Sequence, residues 1–383
     1  MLPNQKHLFN IPDDITYLNC AYLSPQLRSV SNAGAAGIRQ KEQPWTVTPP
    51  DFFRDSEKAR ALFAQIIDAT ADDIAFIPSV SYGIGVAAKN ACIQPGQKMV
   101  MLHEQFPSNV YPWREAARAC NADIETVQRP ADDDWTTALL EKIDERTAVV
   151  AAPNCHWTDG SLINLAAIRR RCDEVNAALV VDATQSIGAM PFSVKKVRPD
   201  FLIAAGYKWL LGPYSFGYLY ASPQYHDGRP LEYNWLNRKD SEDFAGLVNY
   251  RDEFQPGARR FDVGERSNFT LTPMALAALR QINEWQVGRI YETLSALTGQ
   301  IAERAKKLGL SVASTKFHAG HLIGIRFPGG VPAALIERLK AEKIFVSVRG
   351  NAIRIAPHLY NSKADIEKLF NLFDDHNAHF SRK

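Results

Sequence analysis

VVDATQS at residues 180–186 and DFLIAAGYKW at residues 200–209 are the stretches on which the fold turns. Each is an apolar run leading to a charged side chain, Asp182 in the first and Lys208 in the second. Short apolar runs separated by helix-length segments read as strands buried on both faces, hence as parallel strands with crossover helices. Working outward, the pattern recurs as IAFIP at 74–78, KMVML at 98–102 and AVVAAP at 148–153. From about Ser56 to Ser222 the sequence therefore predicts a doubly wound, mostly parallel α/β sheet.

The two charged tips carry the chemistry. A carboxylate ending a buried strand loses solvation and needs a cation to offset the loss. Lys208 ends a neighbouring run, so its amine reaches the crevice at the carboxyl ends of the strands, where open α/β sheets bind ligands. Burial lowers an amine's pKa and suits it to attack a carbonyl. Pyridoxal phosphate would use both groups, an acid for its pyridine nitrogen and an amine for its aldehyde. Either residue alone reads more simply, Asp182 as a turn cap and Lys208 as a solvated side chain.

Composition narrows the field. The 383 residues exceed one ordinary domain, and 46% hydrophobic with 22% charged residues is the balance of a soluble globule. A net charge of +2 offers nothing to a polyanion, and Arg169-Arg170-Arg171 reads as a solvated face of a helix after Asn164, not a nucleic-acid patch. Five cysteines without CxxC spacing argue against a disulfide framework or a structural zinc site, and no metal is expected. With no apolar leader and no membrane-length apolar run, the expected location is the cytoplasm.

Three segments are expected: an N-terminal piece over 1–25, a large domain over 26–270, and a long linking helix with a smaller C-terminal α+β domain over 271–383. Residues 229–266 read as long loops with short elements. Thr272-Pro273 reads as the cap and first turn of one helix, continued by apolar positions from Leu276 to Ile301. Beyond Gly309, SVAST, HLIGIRF, FVSVRG and AIRIAPH read as strands, with helices at 332–343 and 363–376.

The run from Asn154 to Tyr220, with APN, VVDATQSIGAMPFSV and PDFLIAAGYKWLLGPYSFGYLY, resembles the class V aminotransferase family of fold type I pyridoxal phosphate enzymes. This family includes cysteine desulfurases, kynureninases and isopenicillin N epimerase-like proteins. The resemblance extends from YLNCAYLSP at 17–25 to RIAPHLYNS at 354–362. It implies a Schiff base between the cofactor and Lys208, Asp182 on the pyridine nitrogen, and Gln185 and Asn154 near the phenolic oxygen. It implies a phosphate cup in SVSYG formed by Val80 and Ser81, with Tyr207 also on the phosphate and Asn268 reaching it from a partner subunit. Phe106 falls at the ring-stacking position. Arg354 falls at the substrate-carboxylate position, with His156 and Trp157 as further substrate-facing candidates. The expected partners are an amino acid substrate and a second copy of the chain in a homodimer, with neither nucleic acid nor membrane.

The chain also departs from its relatives. Desulfurases carry a nucleophilic cysteine shortly before the carboxylate-binding arginine, whereas here SVRGNAIRIAP contains none and no cysteine lies beyond Cys172. Phe106 stands where desulfurases stack a histidine, so Lys208 is the main proton carrier. Transamination, elimination, kynureninase-like cleavage and epimerisation all stay open. Two rival classes stay open as well. Gly83, Gly85 and Ala88 fit a nicotinamide-binding GxGxxA, although its first glycine falls too late after the IAFIP strand. A binding protein that kept the fold without activity is the other.

Overall fold

The computed structural model describes residues 1–380. Its first strand, β1 (Thr16–Tyr17), lies apart from the main sheet. That sheet contains β2 (Ile74–Ile77), β3 (Lys98–Leu102), β4 (Asp123–Val127), β5 (Thr147–Pro153), β6 (Ala178–Asp182), β7 (Phe201–Ala205) and β8 (Gly217–Ala221). The spatial order is β2-β8-β7-β6-β5-β3-β4. β8 runs antiparallel to both neighbours and every other pairing is parallel. All five apolar runs read as strands are strands, and β3, β5 and β7 are buried along their whole length. This is the expected fold type I architecture.

Two strands of this sheet escaped the reading. β4 is the edge strand, with sequence DIETV and only Val127 fully buried, so no apolar run marks it. β8, GYLYA, is fully buried but mixes aromatic residues with Gly217.

The sheet divides the interior into two apolar layers, one holding Phe63, Trp135, Val181 and Trp209, the other Ile84, Trp113, Val180 and Ile203. The split follows the strand period: Val180 and Val181, adjacent in β6, face opposite layers. Helix Val80–Asn90 packs on the second layer and contains both Gly83 and Gly85. A Cβ on Gly83 would lie 2.7 Å from Ile77 Cδ1 and 3.0 Å from Ile203 Cγ1. That glycine permits close helix-on-sheet packing and is not the turn of a dinucleotide fingerprint, as its distance from the strand implied.

The single long helix expected from Thr272 is two helices, Leu271–Trp285 and Val287–Lys307, broken at Gln286 with φ +63°. The apolar spacing continues through the break and so hides it. The start also differs: the Asn268 side chain accepts from the N–H groups of Thr270 and Leu271 at 3.0 and 2.8 Å, while the Thr272 hydroxyl donates to Arg266 O.

Toward the C-terminus lie β9 (Ile323–Arg326), β10 (Ile344–Phe345), β11 (Ser347–Arg349) and β12 (Ala352–Ile355). β11, β12 and β9 form an antiparallel sheet, and β10 pairs in parallel with β1. SVAST is not a strand; Ser311 makes one isolated bridge to Arg326. Helices Ala333–Ala341 and Lys363–Phe380 match the expected ones. Residues 229–266 carry three short 3-10 turns and no longer element.

Arg169 corrects another expectation. It is buried and bonded to Asp200 at 2.8 Å, not solvated. No helix among the described residues is long and apolar enough to cross a membrane.

Candidate active site

At the carboxyl ends of the parallel strands lies a cavity of about 270 Å³. Pro78 to Val80 follow β2, Gln105, Phe106 and Ser108 follow β3, and Pro153, Cys155 and Trp157 close β5. Asp182, Thr184 and Gln185 come from the end of β6, Tyr207 and Lys208 from the end of β7, and Tyr214 to Gly217 from the approach to β8. The strand order reverses between β3 and β5, the position where such sheets bind ligands.

Asp182 and Lys208 line this one cavity without forming an ion pair with each other. Burial raises the Asp182 pKa, against which a 3.1 Å hydrogen bond from Thr184 N and the charge of Lys208 act. Lys208 is pushed down to about 8, first by burial, with Asp182 opposing and Arg354 and Arg349 adding to the fall. Its Nζ lies 5.1 Å from the Phe106 ring centroid and 5.6 Å from that of Tyr207. The turn that presents Lys208 hugs β8: a Cβ on Gly206 would sit 2.6 Å from Phe216 O.

Around this pair the wall is built of aromatic and amide groups. Phe106 meets Trp157 edge to face at 5.4 Å, and Trp157 Nε1 donates to Glu104 O at 2.6 Å. Gln185 is held at both ends, Nε2 donating to Ala21 O at 3.1 Å and Oε1 accepting from Trp209 Nε1 at 3.0 Å. Tyr207 O accepts from Ser24 N and Oγ at 3.1 and 3.0 Å, which ties residues near 20 to the lysine turn. Val80 opens helix Val80–Asn90, whose first-turn N–H groups have no carbonyl within the helix. Ser79, not Ser81, is the cap: its Oγ accepts from Tyr82 N at 3.2 Å and lies 3.0 Å from Ser81 Oγ.

Lys208, Asp182, Gln185, Val80, Phe106, Tyr207 and Trp157 thus meet in the cavity, while the other candidates stand outside its lining. Ser81 is exposed beside it. Asn154 lies behind, its Oδ1 accepting from Ser186 Oγ at 2.6 Å and fixing the loop after β6. His156 is turned away: its ring stacks on Trp135 at 5.2 Å and 8°, Nδ1 lies 2.7 Å from Thr158 Oγ1, and burial takes its pKa down to about 4. Asn268 is exposed and not among the residues that line this cavity; its Oδ1 is occupied by the N–H groups of Thr270 and Leu271. Arg354 is buried, its Nη1 donating to Trp157 O at 2.7 Å while Nε and Nη2 find no partner.

Sequence reasoning passed over Ser79, Gln105, Ser108, Thr184, Tyr214 and Arg349. Ser79 alone carried a signal, as a serine directly before the first apolar turn of a helix. Cys155 lines the cavity and Cys20 Sγ lies 3.9 Å from Lys208 O, yet burial raises both thiols, Cys20 to about 12. Neither is a thiolate nucleophile.

The aminotransferase class-V model matches residues 50–369. The chain belongs to the class V aminotransferase family. An uncharacterized aminotransferase of Bacillus subtilis, YcbU, is 27% identical over 81% of this chain and 81% of its own length. A probable cysteine desulfurase of Pyrococcus abyssi is 29% identical over 83% and 82%. The apo structure of the cysteine desulfurase of Thermococcus onnurineus superposes with a TM-score of 0.84 at 20% identity, covering 99% of both chains.

As a member of this family the protein is a pyridoxal phosphate-dependent enzyme acting on amino acids. The residues present fit that cofactor. Among the described residues they supply a buried carboxylate with no cation in contact, an amine with no hydrogen-bond partner, an aromatic wall and an open helix N-terminus on one cavity.

Proposed function

We propose that this class V enzyme anchors pyridoxal phosphate on Lys208 and binds an amino acid between Lys208 and Arg354. The observation that carries the reading is the pair of strand tips, Asp182 and Lys208, which line one cavity without touching. The bound cofactor supplies an electron sink for the carbanion formed at the substrate Cα.

Asp182 is the acid partner of the pyridine nitrogen, and a cation there offsets the burial that otherwise favours its protonated form. Lys208, held down to about 8 by burial, is suited to attack the cofactor's aldehyde as a neutral amine, and once the substrate's own amine had displaced it, it would be the base that removes or returns a proton at Cα. Phe106 has no proton to give and packs on the ring. Val80 and Ser81 N–H, with the hydroxyls of Ser79 and Ser81, form the phosphate cup at the positive end of their helix. Gln185 and, one layer back, Asn154 fix the edge facing the phenolic oxygen. Trp157 closes the substrate side, and Arg354 offers two unpartnered donors to an α-carboxylate.

No cysteine follows Cys172, and the thiols nearest the lysine are neutral, so a persulfide-forming cysteine is missing from this chain. The proposed reaction is therefore transamination, elimination, kynureninase-like cleavage or epimerisation, with Lys208 as its proton carrier. Asn268 makes sense as a phosphate ligand only across a subunit boundary, which supports a homodimer, to be checked by sedimentation. Five free thiols suit a reducing compartment such as the cytoplasm.

Borohydride reduction of the purified yellow protein followed by peptide mass spectrometry tests the anchor. Cofactor mass on the peptide containing Lys208 is expected. Label on another lysine, or a colourless protein that takes up no pyridoxal phosphate, would overturn the assignment.

A further inference from the structure

β11 and β12 form a hairpin in which Ser347 faces Arg354 and Arg349 faces Ala352. Opposed residues, and residues two apart along a strand, share one face of a ladder. Arg349 and Arg354 are therefore diagonal neighbours on the same face, a separation of about 7–8 Å. Both guanidinium groups converge on Trp157. Arg354 donates to its carbonyl at 2.7 Å, and Arg349 lies over its indole, 5.3 Å from the ring centroid.

Among the described residues neither arginine has an acidic partner. Arg349 donates through Nη1 to Val348 O at 2.7 Å, and its Nε is buried without an acceptor. The titratable side chain that favours its charge is the phenol of Tyr22, which is not a carboxylate, and burial lowers the Arg349 pKa first. Arg354, 1% exposed, leaves Nε and Nη2 unpartnered, and Arg349 stands second after burial in lowering its pKa, to about 9. Two like charges with buried, unmatched donors cost free energy until an anion reaches them.

One α-carboxylate satisfies one of these groups, and the cofactor phosphate belongs at the helix N-terminus across the cavity. The second guanidinium is left over. We propose that Arg349 receives a second carboxylate, so that the substrate of this enzyme is a dicarboxylic amino acid. The inference rests on Arg354 as the receptor of the first carboxylate. A planar fork held against an indole face is suited to bidentate carboxylate recognition, and the adjacent Arg354 makes the pair a receptor for a dianion.

The test uses the holoprotein and ligands without an amine, which bind but are not turned over. Calorimetric titration would compare succinate and glutarate with their monoamides, succinamate and glutaramate. The better-fitting dicarboxylate is expected to bind about tenfold or more tightly than its monoamide, the worth of one charge-assisted hydrogen-bond set. In R349Q, with fold checked by its melting curve, the ratio is expected to fall to about one. Equal binding of acid and monoamide by the wild type, or an undiminished ratio in R349Q, would overturn the proposal while leaving the proposed function intact. Monoamide binding that survives in R354Q would instead remove the Arg354 reading and the inference with it.

Discussion

Two sets of buried and half-buried charges in this molecule are built on opposite terms. Behind β2, Asp262 takes Arg60 Nη2 at 2.7 Å and Arg266 Nε at 3.1 Å, while Arg259 takes Glu57 at 2.8 Å. Asp159 likewise receives Arg129 and Arg326, each at 2.8 Å, and so joins the large sheet to β9. Around the cavity, Asp182, Lys208, Arg349 and Arg354 share no ion pair. Paired charges close on the chain itself and hold its parts together; unpaired ones hold free energy in reserve for a ligand. Removing a member of the first set should cost stability, and removing a member of the second should cost binding or turnover.

The largest expected effect is on Lys208→Ala, which should lower turnover by about 10³-fold or more while the melting temperature stays within a few degrees. Steady-state assay on the first substrate found would check it, and retained activity would break the comparison on the cavity side. Asp262→Ala should destabilise the fold by about 3–5 kcal/mol in urea titration, because it leaves Arg60 buried without its carboxylate. A loss below about 1 kcal/mol would mean that the paired network is idle. Arg354→Gln should raise KM about 10- to 100-fold, with a smaller effect on the urea midpoint, since it removes one bond to Trp157 O and two donors that had no partner in the ligand-free chain.

Histidines sharpen the distinction because they can shed their charge. His321 and His358 are fully buried near Trp209, with pKa values taken down by burial to about 4 and about 3. The unfolded chain, with histidines near 6.5, takes up these protons first. The contribution of these two neutral histidines to stability is therefore complete above about pH 6.5, falls as pH drops toward about 4, and is spent below about 3. Urea midpoints measured from pH 7.5 to 4.5 should show the decline. In His321→Gln the slope should be shallower, the smallest of these effects.

Legibility followed the same division. The strands with continuous apolar runs were readable, and so were the two tips that carry Asp182 and Lys208. β4 was not, because an edge strand needs little apolar content, and neither was the break at Gln286, where side chains keep helical spacing while one backbone angle changes sign. Arg349 ends β11, a strand that looks ordinary in sequence, and its lack of an acidic partner among the described residues is visible only in three dimensions. His156 is turned from the cavity for the converse reason, since the sequence hides Trp135, the ring it packs on.

The short pairing of β1 with β10 has a bearing on how the enzyme comes into being. Ala21 and Ser24, which grip Gln185 and the Lys208 turn, follow directly on a strand whose partner lies more than three hundred residues later. A ribosome must therefore have delivered nearly the whole polypeptide before that early segment can dock. Nascent chains stopped before residue 340 should expose residues 17–24 to proteases and fail to take up the coenzyme, which makes cofactor capture a late checkpoint in biogenesis.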